Sequence, residues 1–253
     1  KVVFPYPSYM LYKTLSELQD GLACAIDFTD DYSLPGDFVV KGAKVTFIAN
    51  PNSPSGTMIS PEKLSEIAAK IDGVLVIDEA YADFAHDNCL RLVEKHNNVL
   101  VLRTLSKSYS LAGIRFGFCV AQEPLITGLM KVKDSYNADR LSIVAAVAAL
   151  DDQKTMKAHV AKIIETRRYL ATALQDMGFF VYPSETNFVL ARCRKGVSAQ
   201  NLYLALKSRK ILVRYFNLRR LDDCLRITVG TREEIETLLK HLRELYDNKN
   251  GIR

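Results

Sequence analysis

Short runs made wholly of aliphatic side chains recur along the first half of this chain. Val74-Leu75-Val76-Ile77 and Val99-Leu100-Val101-Leu102 are the clearest, and each is separated from the next by a helical or loop segment. A strand that is apolar on both faces must be covered on both faces. Alternation of such strands with helices predicts an α/β fold, a mostly parallel sheet sandwiched by helices. Further strands are predicted over 23–28, 45–49 and 114–121, and Lys1-Val2-Val3-Phe4 reads as the end of another. Ser60 caps a helix with Pro61 at its first position and Glu62 in its first turn. Leu64, Ile67, Ala68 and Ile71 give that helix one apolar face.

In sheets of this kind ligands gather at the carboxyl ends of the strands. That rule places residues 50–56, 78–81 and 104–107 on one rim. From about residue 134 the pattern changes. A long amphipathic helix is predicted over 154–177, ended by Gly178. Short strands follow over 179–182 and 188–191, then a helix over 199–208 and strands over 211–214 and 225–229. Thr231 and Glu234 form a capping box for a last helix. The expected organisation is a large α/β part over 1–135 and a smaller α+β part over 136–253.

Composition matters for what it excludes. The net charge is +5 with no block of five like charges, which argues against nucleic acid or an anionic membrane as partner. No run of eighteen apolar residues predicts a transmembrane helix. Neither GxGxxG nor GxxxxGK[ST] occurs, so nucleotide cradles of those kinds are disfavoured. The five cysteines are dispersed, without a CxxC pair or a His/Cys cluster. They predict no metal site and a reducing, cytoplasmic setting.

The rim segments carry the chemistry. "TLSKSYSLAGIRFGF", residues 104–118, brings Lys107, the hydroxyls of Thr104 and Ser106, and Arg115 together between two apolar runs. By position alone Lys107 reads as a solvated loop charge. Arg115, flanked by Ile114 and Phe116, reads as a charge in an apolar segment that needs a partner. A phosphate would satisfy the arginine and the hydroxyls at once, and the lysine beside it would suit a Schiff base with a phosphorylated aldehyde. In "VLVIDEAY", Asp78 follows four aliphatic residues. It serves either as a cap or ion-pair partner, or as the carboxylate that keeps a pyridine nitrogen protonated. Tyr81 could donate to the ring's phenolic oxygen, and Glu79 reads as structural. Tyr9 in "PYPSYMLY" could stack on a flat ring or belong to the core. Arg214 and Arg226 lie on apolar strands and call for an anion, either a substrate group or one of the chain's own carboxylates, Asp222, Asp223 or Glu185.

Together "DEAY", "RTLSKSYSLAGIRFGF", "SETNFVLAR" and "LRITVGTREE" resemble the fold-type I pyridoxal-phosphate aminotransferases and, within them, the histidinol-phosphate aminotransferase branch. The resemblance spans essentially the whole chain. It implies pyridoxal 5'-phosphate as cofactor, Lys107 as the lysine that holds it, and Thr104, Ser106 and Arg115 as ligands of its phosphate. Asp78 becomes the ring-nitrogen partner, Tyr81 the phenolic-oxygen ligand and Tyr9 the stacking ring. Arg226 would anchor the substrate's anionic end, with Arg214 and Asn187 beside it. Transamination between histidinol phosphate and 2-oxoglutarate, and a homodimer, are the further expectations. The family loop usually reads NPNNPTG, whereas this chain has Ser53 where the second Asn is expected. Ser53 would reach the cofactor through water, or Asn52 would replace it. The resemblance also implies a glycine-rich phosphate-binding segment and an N-terminal arm ahead of Lys1. Arginines suited to a phosphate also suit a carboxylate. An aromatic aminotransferase and a phosphothreonine-type decarboxylase therefore stay open, as does a chain that acts only as a folding or association unit.

Overall fold

The computed structural model describes residues 1–247. Five of the six strands of the first sheet are parallel: β1 (Val2–Tyr6), β2 (Ala23–Asp27), β3 (Val45–Ala49), β4 (Val74–Asp78) and β5 (Val99–Thr104). The sixth, β6 (Gly117–Ala121), runs antiparallel to β5 at one edge, and the order is β2-β1-β3-β4-β5-β6. The helices of this half are α1 (Leu11–Leu18), α2 (Pro61–Ala68), the short α3 (Leu92–Lys95) and α4 (Glu123–Val132). Ser60 caps α2 as its sequence predicts, accepting from the Lys63 N–H. Ile48, Leu75, Ile77, Val99 and Val101 form the centre of the first core, packed against Leu64 and Ile67 of α2. The mostly parallel, helix-flanked sheet is the architecture that the aliphatic runs call for.

The second half contains α5 (Arg140–Asp151), the long α6 (Gln153–Asp176), β7 (Phe180–Val181), β8 (Phe188–Arg192), α7 (Ala199–Ser208), β9 (Arg214–Tyr215), β10 (Cys224–Thr228) and α8 (Arg232–Asp247). Its four strands are antiparallel in the order β7-β8-β10-β9. Leu170, Leu174, Leu202, Leu225 and Leu239 build a second core. Tyr182, Leu190, Leu221 and Cys224 from this half belong to the first core, so the two sheets are packed together.

Two predicted strands differ in the structure. The strand expected over 114–121 starts only at Gly117, after a 3-10 turn at Ala112–Ile114. It is an edge strand with Phe118 exposed, not a strand buried on both faces. The strand expected over 211–214 is reduced to Arg214–Tyr215. The preceding residues finish α7 instead. Lys210 takes a φ of +63° while its N–H bonds Lys207 O, and Ile211 N–H reaches back to Leu206 O at 3.0 Å. That pairing closes a helix end and removes Ile211 from the sheet. Among the described residues no helix is long and apolar enough to cross a membrane.

Candidate active site

Because β1, β3, β4 and β5 are parallel neighbours, the segments leaving their carboxyl ends meet on one rim. Asp78 closes β4, in register with Ala49 of β3 and Leu102 of β5. Its carboxylate accepts from the Tyr12 hydroxyl at 2.8 Å and from the Ala80 N–H at 3.1 Å. Burial pushes the Asp78 carboxyl above its ordinary pKa, against the pull of those two donors and of the Lys107 charge. No protein cation forms an ion pair with it among the described residues. A partly buried carboxylate in that condition fits a protonated ring nitrogen as its missing partner.

Tyr12 is a site residue that sequence reasoning passed over in favour of Tyr9. It is buried, stacks on Phe47 with ring centroids 4.8 Å apart, and meets Tyr9 edge-on at 5.7 Å. Those contacts fix the direction of its hydroxyl. Burial and then the Asp78 charge raise its pKa well above the ordinary value, so it remains a donor. Its signal in the sequence is its place three residues after Tyr9, where α1 opens. Tyr9 itself is 48% exposed and keeps its ring at the surface of the rim.

Lys107 lies in the loop after β5. Its Nζ sits 5.2 Å from the centre of the Tyr81 ring and has no carboxylate in ion-pair range among the described residues. Tyr81 in turn packs edge-on against Phe188 at 5.2 Å. The turn after β4, the loop after β5 and the start of β8 thus converge on one cluster. Thr104 shapes the turn. Its hydroxyl accepts from the Ser106 N–H at 3.1 Å and lies within donating distance of Ser106 Oγ, 2.9 Å, and Phe116 O, 3.2 Å. Ser106 Oγ has no hydrogen-bond partner besides Thr104 Oγ1 among the described residues.

Arg115 is placed differently from its sequence reading. It is exposed, has a φ of +56°, and donates from Nη1 to Ala112 O at 2.9 Å. The flanking Ile114 and Phe116 belong to a tight turn ahead of an edge strand, so the arginine is not a buried charge in need of rescue. Asn52 is also committed elsewhere. Its Oδ1 accepts from Ser8 Oγ at 2.7 Å, and its Nδ2 donates to Pro7 O at 3.2 Å and Ser55 Oγ at 2.8 Å. These bonds use both of the amide's N–H donors inside the loop. Gly56 lets that loop sit against the second sheet, since a Cβ there would lie 2.6 Å from Ser184 Oγ and its φ is +83°. Ser53 faces the other way, with its Oγ accepting from Arg226 Nη1 at 3.1 Å.

Arg226 and Arg214 are directly opposite each other on β10 and β9, hence on one face of the sheet. Like charges in that relation repel. Arg226 lies over the rings of Phe188, 5.0 Å, and Phe216, 5.4 Å, and its buried Nε has no hydrogen-bond partner. Burial lowers its pKa; the neighbouring Tyr81 opposes this and Arg214 adds to it. None of the carboxylates weighed for Arg214 reaches it. Asp223 pairs with Arg192 at 3.1 Å, Glu185 pairs with His86 and Arg167, and Asp222 is in no ion pair among the described residues. Arg214 instead lies 5.2 Å from the centre of the Phe216 ring. Asn187, just before β8, gives its carbonyl to the Val229 N–H and leaves its amide without a hydrogen bond among the described residues.

Two further groups support the rim. Glu79 is fully buried and accepts from the Cys89 N–H and from Arg103, whose Nη2 is at 2.7 Å. Arg103 also holds Asp83 at 3.1 Å, and Asp83 accepts from the hydroxyl of Ser108, the neighbour of Lys107. Arg167 of α6 is buried and ties Thr186 O, at 2.7 Å, to Phe84 O, at 3.3 Å. It stands in line with Val160, Ile163, Leu170 and Leu174, a cation in an otherwise apolar stripe, which is a signal legible in the sequence.

Comparison with known proteins agrees with this geometry. The family model for class I and II aminotransferases matches residues 5–242. The histidinol-phosphate aminotransferase 1 of Nostoc sp. is 47% identical over 251 residues, covering 99% of this chain and 71% of that protein. The histidinol-phosphate aminotransferase of Rhodopirellula baltica is 44% identical over 248 residues, covering 97% and 68%. The solved histidinol-phosphate aminotransferase of Sinorhizobium meliloti, in complex with pyridoxal-5'-phosphate, superposes with a TM-score of 0.89 at 26% identity, covering 98% of this chain and 70% of that one. Among the described residues, a lysine without a carboxylate partner and a partly buried carboxylate without a cation share the rim, and an arginine pair without a carboxylate partner reaches it from the second sheet through Ser53; the chain belongs to the class I and II aminotransferases, whose cofactor is pyridoxal 5'-phosphate.

Proposed function

We propose that the protein transaminates histidinol phosphate, with 2-oxoglutarate and glutamate as the other pair. The observation that carries this reading is the cross-strand pair Arg226 and Arg214, one of them with a buried, orphaned Nε donor and neither held by a carboxylate among the described residues. Two guanidinium groups on one face suit a dianionic phosphate ester better than a single carboxylate.

The residues fit the cofactor in distinct roles. Lys107 holds it, Asp78 meets the ring nitrogen, Tyr81 serves the phenolic oxygen, Tyr9 offers a ring face, and Thr104 and Ser106 line the phosphate. Bound there, pyridoxal phosphate supplies an aldehyde that condenses with amines and a ring that withdraws electrons from the adjoining carbon. Lys107 Nζ takes the proton from the amine-bearing carbon of the substrate and later returns one. Asp78, whose ionised form the Tyr12 hydroxyl and the Ala80 N–H favour against its burial, matches a protonated ring nitrogen. Arg115, exposed beside the loop of Thr104 and Ser106 with only Nη1 engaged among the described residues, is a further ligand for the cofactor phosphate. A homodimer fits the same reading. Met130, Val132, Tyr136, Leu141 and Val144 on and between α4 and α5 are exposed, a surface that a second copy would cover.

Two measurements test these assignments. The loaded protein is expected to turn over histidinol phosphate in strong preference to phenylalanine. Arg226→Gln should lower kcat/KM for the phosphate ester by about a hundredfold, the loss of a charge-assisted, forked contact. Equal turnover of phenylalanine by the unaltered protein would sink the substrate assignment. Tyr12→Phe removes a donor that holds the Asp78 pKa down. The acid limb of its pH–rate profile should therefore move to higher pH, with activity reduced about tenfold. An unmoved limb would mean that Tyr12 does not govern Asp78.

A further inference from the structure

We infer that Ser53 serves the substrate's anion together with Arg226, not the cofactor ring, and is a specificity-determining residue of this chain. The inference rests on the reading of Arg226 as the anchor for a phosphate. Ser53 follows Asn52 in the loop after β3, yet its only hydrogen bond among the described residues crosses to β10, where Oγ accepts from Arg226 Nη1 at 3.1 Å. Arg226 cannot turn away from that contact freely, because the rings of Phe188 and Phe216 lie against its guanidinium. Its Nε is already buried without a partner. Ser53 therefore sets the direction of the donors that Arg226 has left.

The hydroxyl also has a hydrogen of its own, with no protein acceptor among the described residues. A hydroxyl that accepts from a cation is polarised and becomes a better donor. The acceptor we assign to it is an oxygen of the same phosphate that Arg226 recruits. The neighbouring loop amide, Asn52, has both donors engaged by Pro7 O and Ser55 Oγ and has none left for an anion. Within the loop after β3 it is Ser53 whose side chain reaches Arg226.

The test uses the protein loaded with pyridoxal phosphate, so that the cofactor's own phosphate position is filled. For Ser53→Ala three quantities are measured: kcat and KM for histidinol phosphate, the Kd of inorganic phosphate by calorimetry, and the absorbance of the bound cofactor against pH. The expected result is KM and phosphate Kd raised about tenfold, kcat changed far less, and an absorbance titration that overlays that of the unaltered protein. Ser53→Thr, which keeps the hydroxyl, should recover most of the phosphate affinity. A shifted absorbance titration with unchanged phosphate Kd would place Ser53 on the cofactor and overturn the inference. Unchanged values throughout would overturn it as well. If phosphate binding weakens as expected while histidinol phosphate is not turned over, the substrate reading fails and this one stands. If histidinol phosphate is turned over and Ser53→Ala binds phosphate normally, the reverse holds.

Discussion

Lys107→Ala is expected to lower transamination by on the order of 10⁴-fold, the scale of a lost proton-transfer group that also holds the cofactor. Borohydride treatment of the loaded protein should fix the cofactor covalently onto the peptide containing Lys107, and the variant should yield no such peptide. The structure separates two ways in which this lysine could matter. As a charge near Asp78, it lowers that carboxyl's pKa. As an amine, it must lose and regain a proton. Lys107→Arg preserves the first property and abolishes the second, because a guanidinium stays protonated throughout the working pH range. The arginine variant should therefore be as inactive as the alanine variant. Activity retained in Lys107→Arg, or a reduced cofactor adduct on another lysine with turnover intact, would remove Lys107 from the role assigned to it.

The rim around Lys107 was legible before the fold was known because parallel topology carries a positional rule. Once Val74-Leu75-Val76-Ile77 and Val99-Leu100-Val101-Leu102 read as buried parallel strands, their carboxyl ends had to adjoin, and Asp78 and Lys107 came with them. The same aliphatic logic failed at Arg115. Ile114 and Phe116 look like strand residues, but local composition does not distinguish a central strand from the edge strand β6. The 3-10 turn and the left-handed backbone at Arg115 are set by how β6 reverses direction against β5. Tyr12 was hidden for a different reason. A buried tyrosine near Tyr9 is ordinary core material until β4 is known to end beside it. The Ser53–Arg226 contact joins positions 173 residues apart in the chain and depends on the packing of one sheet against the other, which no local pattern encodes.

Arg103→Met should be among the most destabilising single substitutions in the chain, since it strands the carboxylate of Glu79. That side chain has no exposure to solvent, while Arg103 is 15% exposed and gives it two donors, Nε at 2.8 Å and Nη2 at 2.7 Å. Removing one member of a buried pair leaves an uncompensated charge and costs about 3–5 kcal/mol. The cost should appear as a lower denaturant midpoint. It also has a pH signature. Burial already raises the Glu79 pKa, and the Arg103 charge is the largest influence pulling it down. Without Arg103 the pKa rises further, so the variant's native state binds a proton over a range where the unaltered protein's does not. The stability deficit should therefore be smallest at the acid end, near the ordinary glutamate pKa. It should grow as pH rises through the interval between the two native values. Glu79→Gln combined with Arg103→Met removes the stranded charge while keeping an acceptor for the Cys89 N–H, and should recover most of the loss and abolish its pH dependence. Recovery of stability without recovery of turnover is the expected outcome for the double variant. Arg103 also anchors Asp83, and through it Ser108 beside Lys107, and Glu79→Gln does nothing to restore that second chain. A double variant as active as the unaltered protein would show that the Asp83–Ser108 link has no bearing on where Lys107 is held.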